Sequence, residues 1–137
     1  QLINGLSSLP GILMPTTREN CEHVYYSFMM RFSEDVVGIS REKFCKALSA
    51  EGVPINQGYI KPLYLLPLFQ RRIAIGNKGY PFNMSERSYE KGLCPVAERM
   101  YEKEEMGFSI CGFELSVKDI QNIIDAFQKV YNDMQAI

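Results

Sequence analysis

Histidine is almost absent from this chain of 137 residues, which has only His23. The four cysteines, Cys21, Cys45, Cys94 and Cys111, stand at wide and unrelated spacings with no C-x-x-C pair. Without a second histidine or a cysteine pair no zinc site can be assembled from sequence neighbours. Charge of one sign is also missing: 15 basic and 16 acidic side chains leave a formal net charge of -1. That balance gives no electrostatic reason to expect nucleic acid or an anionic membrane as the main partner. No apolar run approaches the ~18 residues needed to span a bilayer, and no secretory signal opens the chain. The expectation is a cytoplasmic protein with reduced thiols, in which Cys45 and Cys111 act as small core hydrophobes. His23 stands just before an aromatic stretch and reads as a structural or surface residue.

Catalytic signatures are absent as well. There is no nucleophile elbow, no phosphate-cradling glycine loop, no H-E-x-x-H helix and no EF-hand loop. Gly76, Gly79, Gly107 and Gly112 are not spaced as a dinucleotide fingerprint. Glu98, Glu102, Glu104 and Glu105 cluster with Arg99 and Lys103 between them, which reads as a charged solvent face rather than a catalytic carboxylate pair. No catalytic residue, cofactor anchor or metal site is therefore expected in the chain by itself.

What is present is the pattern of one globular domain. Hydrophobic residues make up 46% and charged residues 23%, enough apolar content for one core and too short a chain for two ordinary domains. Leu2 to Leu9 has helical spacing closed by Pro10-Gly11. Val24 to Phe32 alternates as a strand, with Tyr26, Phe28, Met30 and Phe32 on its apolar face. Ser40 caps a helix carrying Phe44, Ala47 and Leu48, and Gly52 can take the left-handed conformation that ends it. Residues 70–91 form a long irregular excursion. Pro95 opens a helix that Gly107 is expected to close, and Phe108–Phe113 is expected to be a strand. Ser116 and Asp119 form a capping-box pair ahead of a stripe running from Val117 to Met134. The fold expected is α+β: a small sheet containing Val24–Phe32 and Phe108–Phe113, covered on one face by the helices starting at Ser40 and Ser116.

The segment Gly58–Phe69 stands apart. Pro62 and Pro67 remove backbone donors and push their predecessors toward extended conformations, which rules out a regular helix or central strand. The apolar run carries Tyr59, Lys61 and Tyr64 as its polar groups. It reads either as the wall of a pocket or as a proline-broken cover on the core.

The order of these segments resembles a known family. A helix tail ending in L-P-G-I-x-x-P precedes the aromatic strand and the helix opening Ser40-Arg41-Glu42-Lys43-Phe44. Leu48-x-x-Glu51-Gly52-Val53-Pro54, Gly58-Tyr59-x-x-Pro62-Leu63-Tyr64-x-x-Pro67-Leu68-Phe69 and Cys94-Pro95-Val96-Ala97-Glu98 follow, then the capped helix with Asp119 and Ala126. This succession, from roughly Leu6 to Met134, resembles the C-terminal small domain of DegT/StrS-type sugar aminotransferases. These are fold-type I enzymes that use pyridoxal phosphate.

The resemblance implies a two-layer α/β small domain over 16–137, with 1–15 as the end of a linker helix and an extended lead-in. It implies that the chain is a fragment, since it begins Gln1-Leu2-Ile3 and lacks the large domain that holds most of the cofactor contacts. The parent would move an amino group from glutamate or glutamine to a keto-sugar or nucleotide-linked sugar, working as a homodimer. Tyr59, Lys61 and Tyr64 are the substrate-binding candidates, and many members carry histidine where this chain has Gly58. The fragment alone is expected neither to bind the cofactor nor to catalyse. The reading from a different class is a free-standing, non-catalytic α+β binding or interaction domain.

Overall fold

The computed structural model describes residues 1–110 and 112–135. Helix α1 (Leu2–Leu6) leads into strand β1 (Ile12–Leu13), strand β2 (Phe28–Phe32) and the single turn α2 (Glu34–Val37). Helix α3 (Arg41–Ala50) and strand β3 (Asn56–Gln57) follow, then helix α4 (Pro67–Gln70). Helix α5 (Pro95–Arg99) continues as a π turn over Met100–Glu104, and strand β4 (Glu105–Phe108) and helix α6 (Val117–Gln135) complete the order.

The sheet runs β1-β2-β4-β3 with every neighbouring pair antiparallel. Register places Phe28 opposite Phe108, Met30 opposite Met106 and Phe32 opposite Ile12. Directly opposed residues share a face, and all six of these are buried. Helices α3 and α6 both cover that face: the Phe44 ring lies 5.1 Å from that of Phe32 and 6.1 Å from that of Phe127. One apolar sheet face under two amphipathic helices is the two-layer α+β arrangement that the alternation in β2 and the stripe in α6 anticipate.

Helix α6 buries Ile123, Ile124, Phe127, Val130 and Tyr131. Its capping box forms: Ser116 Oγ accepts the Asp119 N–H at 3.2 Å, and Asp119 Oδ2 accepts the Ser116 N–H at 2.8 Å. Helix α1 packs on α6 through Gly5, where a Cβ would stand 2.8 Å from Ile124 Cγ1. Leu2, Leu6, Leu9 and Ile12 are buried in the same core, so residues 1–15 contribute to the fold they lead into. Cys45 is buried, as its sequence context suggests, and burial pushes its thiol up to about 11. Cys111 lies outside the described residues.

Three expectations need correction. The strand expected from Val24 begins at Phe28, and Tyr26, assigned to its apolar face, is 69% exposed. Here a local arrangement outcompetes the ladder. His23 Nδ1 accepts the Tyr25 N–H at 2.9 Å, their rings stack at 4.1 Å, and Tyr25 turns through a φ of +50°. The helix from Pro95 is not closed by Gly107, and the following strand is Glu105–Phe108 rather than Phe108–Phe113. The cause is Arg41, a buried side chain of α3. Its Nη1 donates to the carbonyls of Tyr101 (3.1 Å) and Glu105 (2.7 Å), and its Nη2 to that of Glu102 (2.8 Å). A cation on these carbonyls completes the helix end and complements its dipole, freeing the chain to pair with β2 three residues before Phe108. Val117, read as the first residue of the α6 stripe, is 69% exposed because it precedes the part of the helix that reaches the sheet.

Candidate functional site

The proline-interrupted segment after β3 is a short arch pinned at both ends. At its start, buried Gly58 has a φ of +63° and donates its N–H to the Glu105 carbonyl at 2.7 Å. A Cβ there would sit 2.9 Å from Tyr101 Cδ2 and 3.1 Å from the Tyr101 carbonyl oxygen. Both the left-handed backbone and the Tyr101 ring therefore favour glycine here. Pro62 then bends the chain into a single 3-10 turn over Leu63–Leu65, and Pro67 occupies the first position of α4, where its missing donor costs nothing.

Between the pins the side chains face outward. Tyr59 is 53% exposed, and Ile60, Lys61 and Leu63 are exposed as well. The Tyr26 hydroxyl lies beside that of Tyr59 and raises the Tyr59 pKa above its ordinary value. Tyr64 departs from this pattern. It was expected on the substrate wall, but its ring is buried and its hydroxyl points beneath the arch. That hydroxyl donates to Glu98 Oε1 and accepts the Cys94 N–H at 3.3 Å. Glu98 Oε1 also accepts the Gly92 N–H at 2.6 Å. A second bridge comes from Gln70, whose Nε2 donates to the carbonyls of Tyr64 and Tyr89, both at 2.6 Å.

Glu98 is thus no part of a solvated acidic face. It is buried in the first turn of α5, while Glu102 remains exposed. The Tyr64 hydroxyl holds its carboxyl below the ordinary 4.5, assisted by the Gly92 and Cys94 amides and by Lys91, against the opposing effect of burial. The Tyr64 phenol is correspondingly raised, by burial first and then by Glu98. A depressed folded-state carboxyl pKa adds stability that is fully present above the unfolded value and is lost as pH falls through the folded one. The wild-type melting temperature should therefore decline as pH drops below 4.5, with a shallower decline in Glu98→Gln. Parallel acid slopes for the two proteins would refute the assignment.

The excursion beyond the arch folds on aromatics of its own. The rings of Phe69, Phe82 and Tyr89 lie 5.3 to 6.2 Å apart, and Ile75 pairs with Tyr80 in an antiparallel bridge. Among the described residues no group of histidine, cysteine, aspartate or glutamate could hold a metal ion. No helix among them is long and apolar enough to cross a membrane.

The lysines do not fit a pyridoxal phosphate pocket within this chain. All eight are exposed, whereas a Schiff-base lysine is desolvated or set beside another cation to lower its pKa. Lys91 and Lys129 pair instead with Glu102 (2.5 Å) and Glu51 (2.9 Å), which raises theirs.

The four-stranded antiparallel sheet under two helices, with a pinned arch at its edge, makes this an α+β domain. Residues 1–127 match the model of the DegT/DnrJ/EryC1/StrS aminotransferase family, and the chain belongs to that family. An uncharacterized protein of Methanocaldococcus jannaschii is 23% identical over 126 residues, which cover 92% of this chain and 28% of that protein. Among solved structures, DesV of S. venezuelae, crystallised with a ketimine intermediate, superposes with a TM-score of 0.66 at 21% identity, covering 95% of this chain and 29% of that one. A DegT DnrJ EryC1 StrS aminotransferase from Brucella abortus gives a TM-score of 0.66 at 18% identity, covering 95% and 28%. The aminotransferase TlmJ from Streptoalloteichus hindustanus gives 0.64 at 16%, covering 98% and 30%. The chain therefore spans under a third of the length of each of these relatives.

Sequence reasoning brought Tyr59, Lys61 and Tyr64 together on one segment but missed Glu98, Gln70 and Tyr26. One signal for Glu98 was available: Pro95 at the first helical position places Glu98 in the first turn, where a carboxylate meets free N–H groups. Nothing local marks Gln70 or Tyr26.

Proposed function

We propose that this chain is the C-terminal small domain, over 16–137 with 1–15 leading in, of a cytoplasmic, homodimeric aminotransferase. Its substrate would be a nucleotide-linked keto-sugar, and its amino donor glutamate or glutamine. The observation that carries the reading is the pinned arch of a family member, which presents Tyr59 and Lys61 outward from a backbone stiffened by Pro62 and held at Gly58 and Tyr64. Pyridoxal phosphate, the family's cofactor, would supply the electron sink from the large domain, outside this chain.

In this reading the chain's own residues bind and orient. The Lys61 ammonium approaches a phosphate or a sugar hydroxyl as a compact point charge, and the Tyr59 hydroxyl donates or accepts a single hydrogen bond. Tyr64 serves the same wall from beneath, since its hydroxyl is engaged with Glu98 and the Cys94 amide. A prearranged wall leaves little entropy to be lost on binding.

In the full-length enzyme, Lys61→Ala should weaken the keto-sugar half-reaction about tenfold and Tyr59→Phe about threefold. The Lys61 effect should shrink with added salt. The amino-donor half-reaction should stay within about twofold, because that chemistry belongs to the other domain. Stopped-flow spectra of the separate half-reactions measure both. Unaltered sugar kinetics in both variants would make the arch a cover on the core and nothing more.

A further inference from the structure

Arg41 and Glu98 are the buried charged side chains of the described chain. Arg41 is accounted for by the helix end it completes. Glu98 is different, because its hydrogen-bond partners lie in separate loops: the Tyr64 hydroxyl at the end of the arch, and the Gly92 and Cys94 amides at the close of the 71–93 excursion. A carboxylate withdrawn from water is costly unless bonded, and an apolar side chain would fill the space without that cost. What a carboxylate adds is direction, since its lone pairs fix where the donors must stand.

We propose that Glu98 is a positioning residue for the substrate wall. It holds Tyr64 in place, and through Tyr64 it sets the course of the Tyr59–Leu63 arch that meets the keto-substrate. The proposal rests on the reading of the arch given under the preceding heading. Its geometric basis is that both pins belong to one helical run. Tyr101, whose ring fills the space at Gly58, lies three residues after Glu98 on the same helical run. Arg41 holds the end of that run through the Tyr101, Glu102 and Glu105 carbonyls. Helix α5 with its π turn is therefore a frame against which both ends of the arch are set, and Gln70 ties the arch to the excursion through Tyr64 and Tyr89.

The test uses the full-length enzyme with Glu98→Gln and Tyr64→Phe, the latter keeping the ring and removing only the hydroxyl. Backbone hydrogen exchange should quicken in residues 59–64 and 88–94 and stay unchanged in α6. The Michaelis constant for the keto-substrate should rise about tenfold with kcat nearly constant, because a displaced wall loses binding rather than chemistry. The double variant should be no worse than the more impaired single one, since one weakens and the other removes the same bond. Unchanged exchange at 59–64 in both variants would overturn the proposal, as would quickened exchange with an unchanged Michaelis constant. Lys61→Ala in the same assay separates the two claims. If it impairs the sugar half-reaction and Glu98→Gln does not, positioning by Glu98 fails while the arch remains the substrate wall. If neither does, the reading of the arch fails and takes the positioning role with it.

Discussion

Arg41→Met should lower the unfolding free energy by about 2–3 kcal/mol, the cost of leaving backbone carbonyls without a charged donor. Methionine keeps most of the side chain's length and apolar packing, so the loss isolates the guanidinium. Without it the carbonyls of Tyr101, Glu102 and Glu105 lose a donor at the end of the helical run. Arg41→Lys should recover only part of the loss, because an ammonium lacks the planar fork that reaches separate carbonyls. The midpoint of urea unfolding measures both variants. A loss under about 1 kcal/mol for the methionine variant would mean that the π turn ends without help from α3. Domains of this size carry roughly 5–15 kcal/mol in all, so the expected loss is a large share of the total.

The second large effect is Ile124→Asp, expected to cost about 4 kcal/mol or more. Ile124 is buried where α6 meets α1, against Gly5, so a carboxylate there is withdrawn from water. Val117→Asp is the control from the same helix. Val117 is exposed in the first turn, where a negative charge is tolerated, so its effect should stay within about 0.5 kcal/mol. Thermal melts of the two variants should differ widely. A midpoint for Ile124→Asp within error of wild type would contradict the placement of α6 on the sheet.

That contrast shows how far periodicity reaches. Val117 and Ile124 occupy the same sequence stripe, and only the place where α6 meets the sheet separates them. The same holds for Tyr26 and Phe28, neighbours on one alternating face: the Phe28 side chain is buried, while a histidine–tyrosine stack and a positive φ turn Tyr26 outward. Glu98 sat in an acidic run that looked solvated, because a helix of mixed charges carries no mark of which residue a distant tyrosine will meet.

The sequence by itself determined the elements whose causes are local: the Ser40 cap, the Gly52 helix end, the Ser116–Asp119 capping box, the alternation of Phe28, Met30 and Phe32, and the proline stiffening of the arch. Each depends on bonds or steric limits spanning a few residues, so composition and spacing suffice to read them. The order of its motifs carried the family as well, which the match over residues 1–127 shows. Tertiary structure alone decided where the helix from Pro95 ends, since Arg41 contributes from about 60 positions upstream to the carbonyls that close it. It also decided which way each group on the arch faces. Tyr59 and Lys61 turn outward and Tyr64 inward because Tyr101 fills the space at Gly58 and Glu98 captures the Tyr64 hydroxyl. Both contacts join residues more than 30 positions apart, and the desolvation that gives them their strength exists only once the core has closed around them.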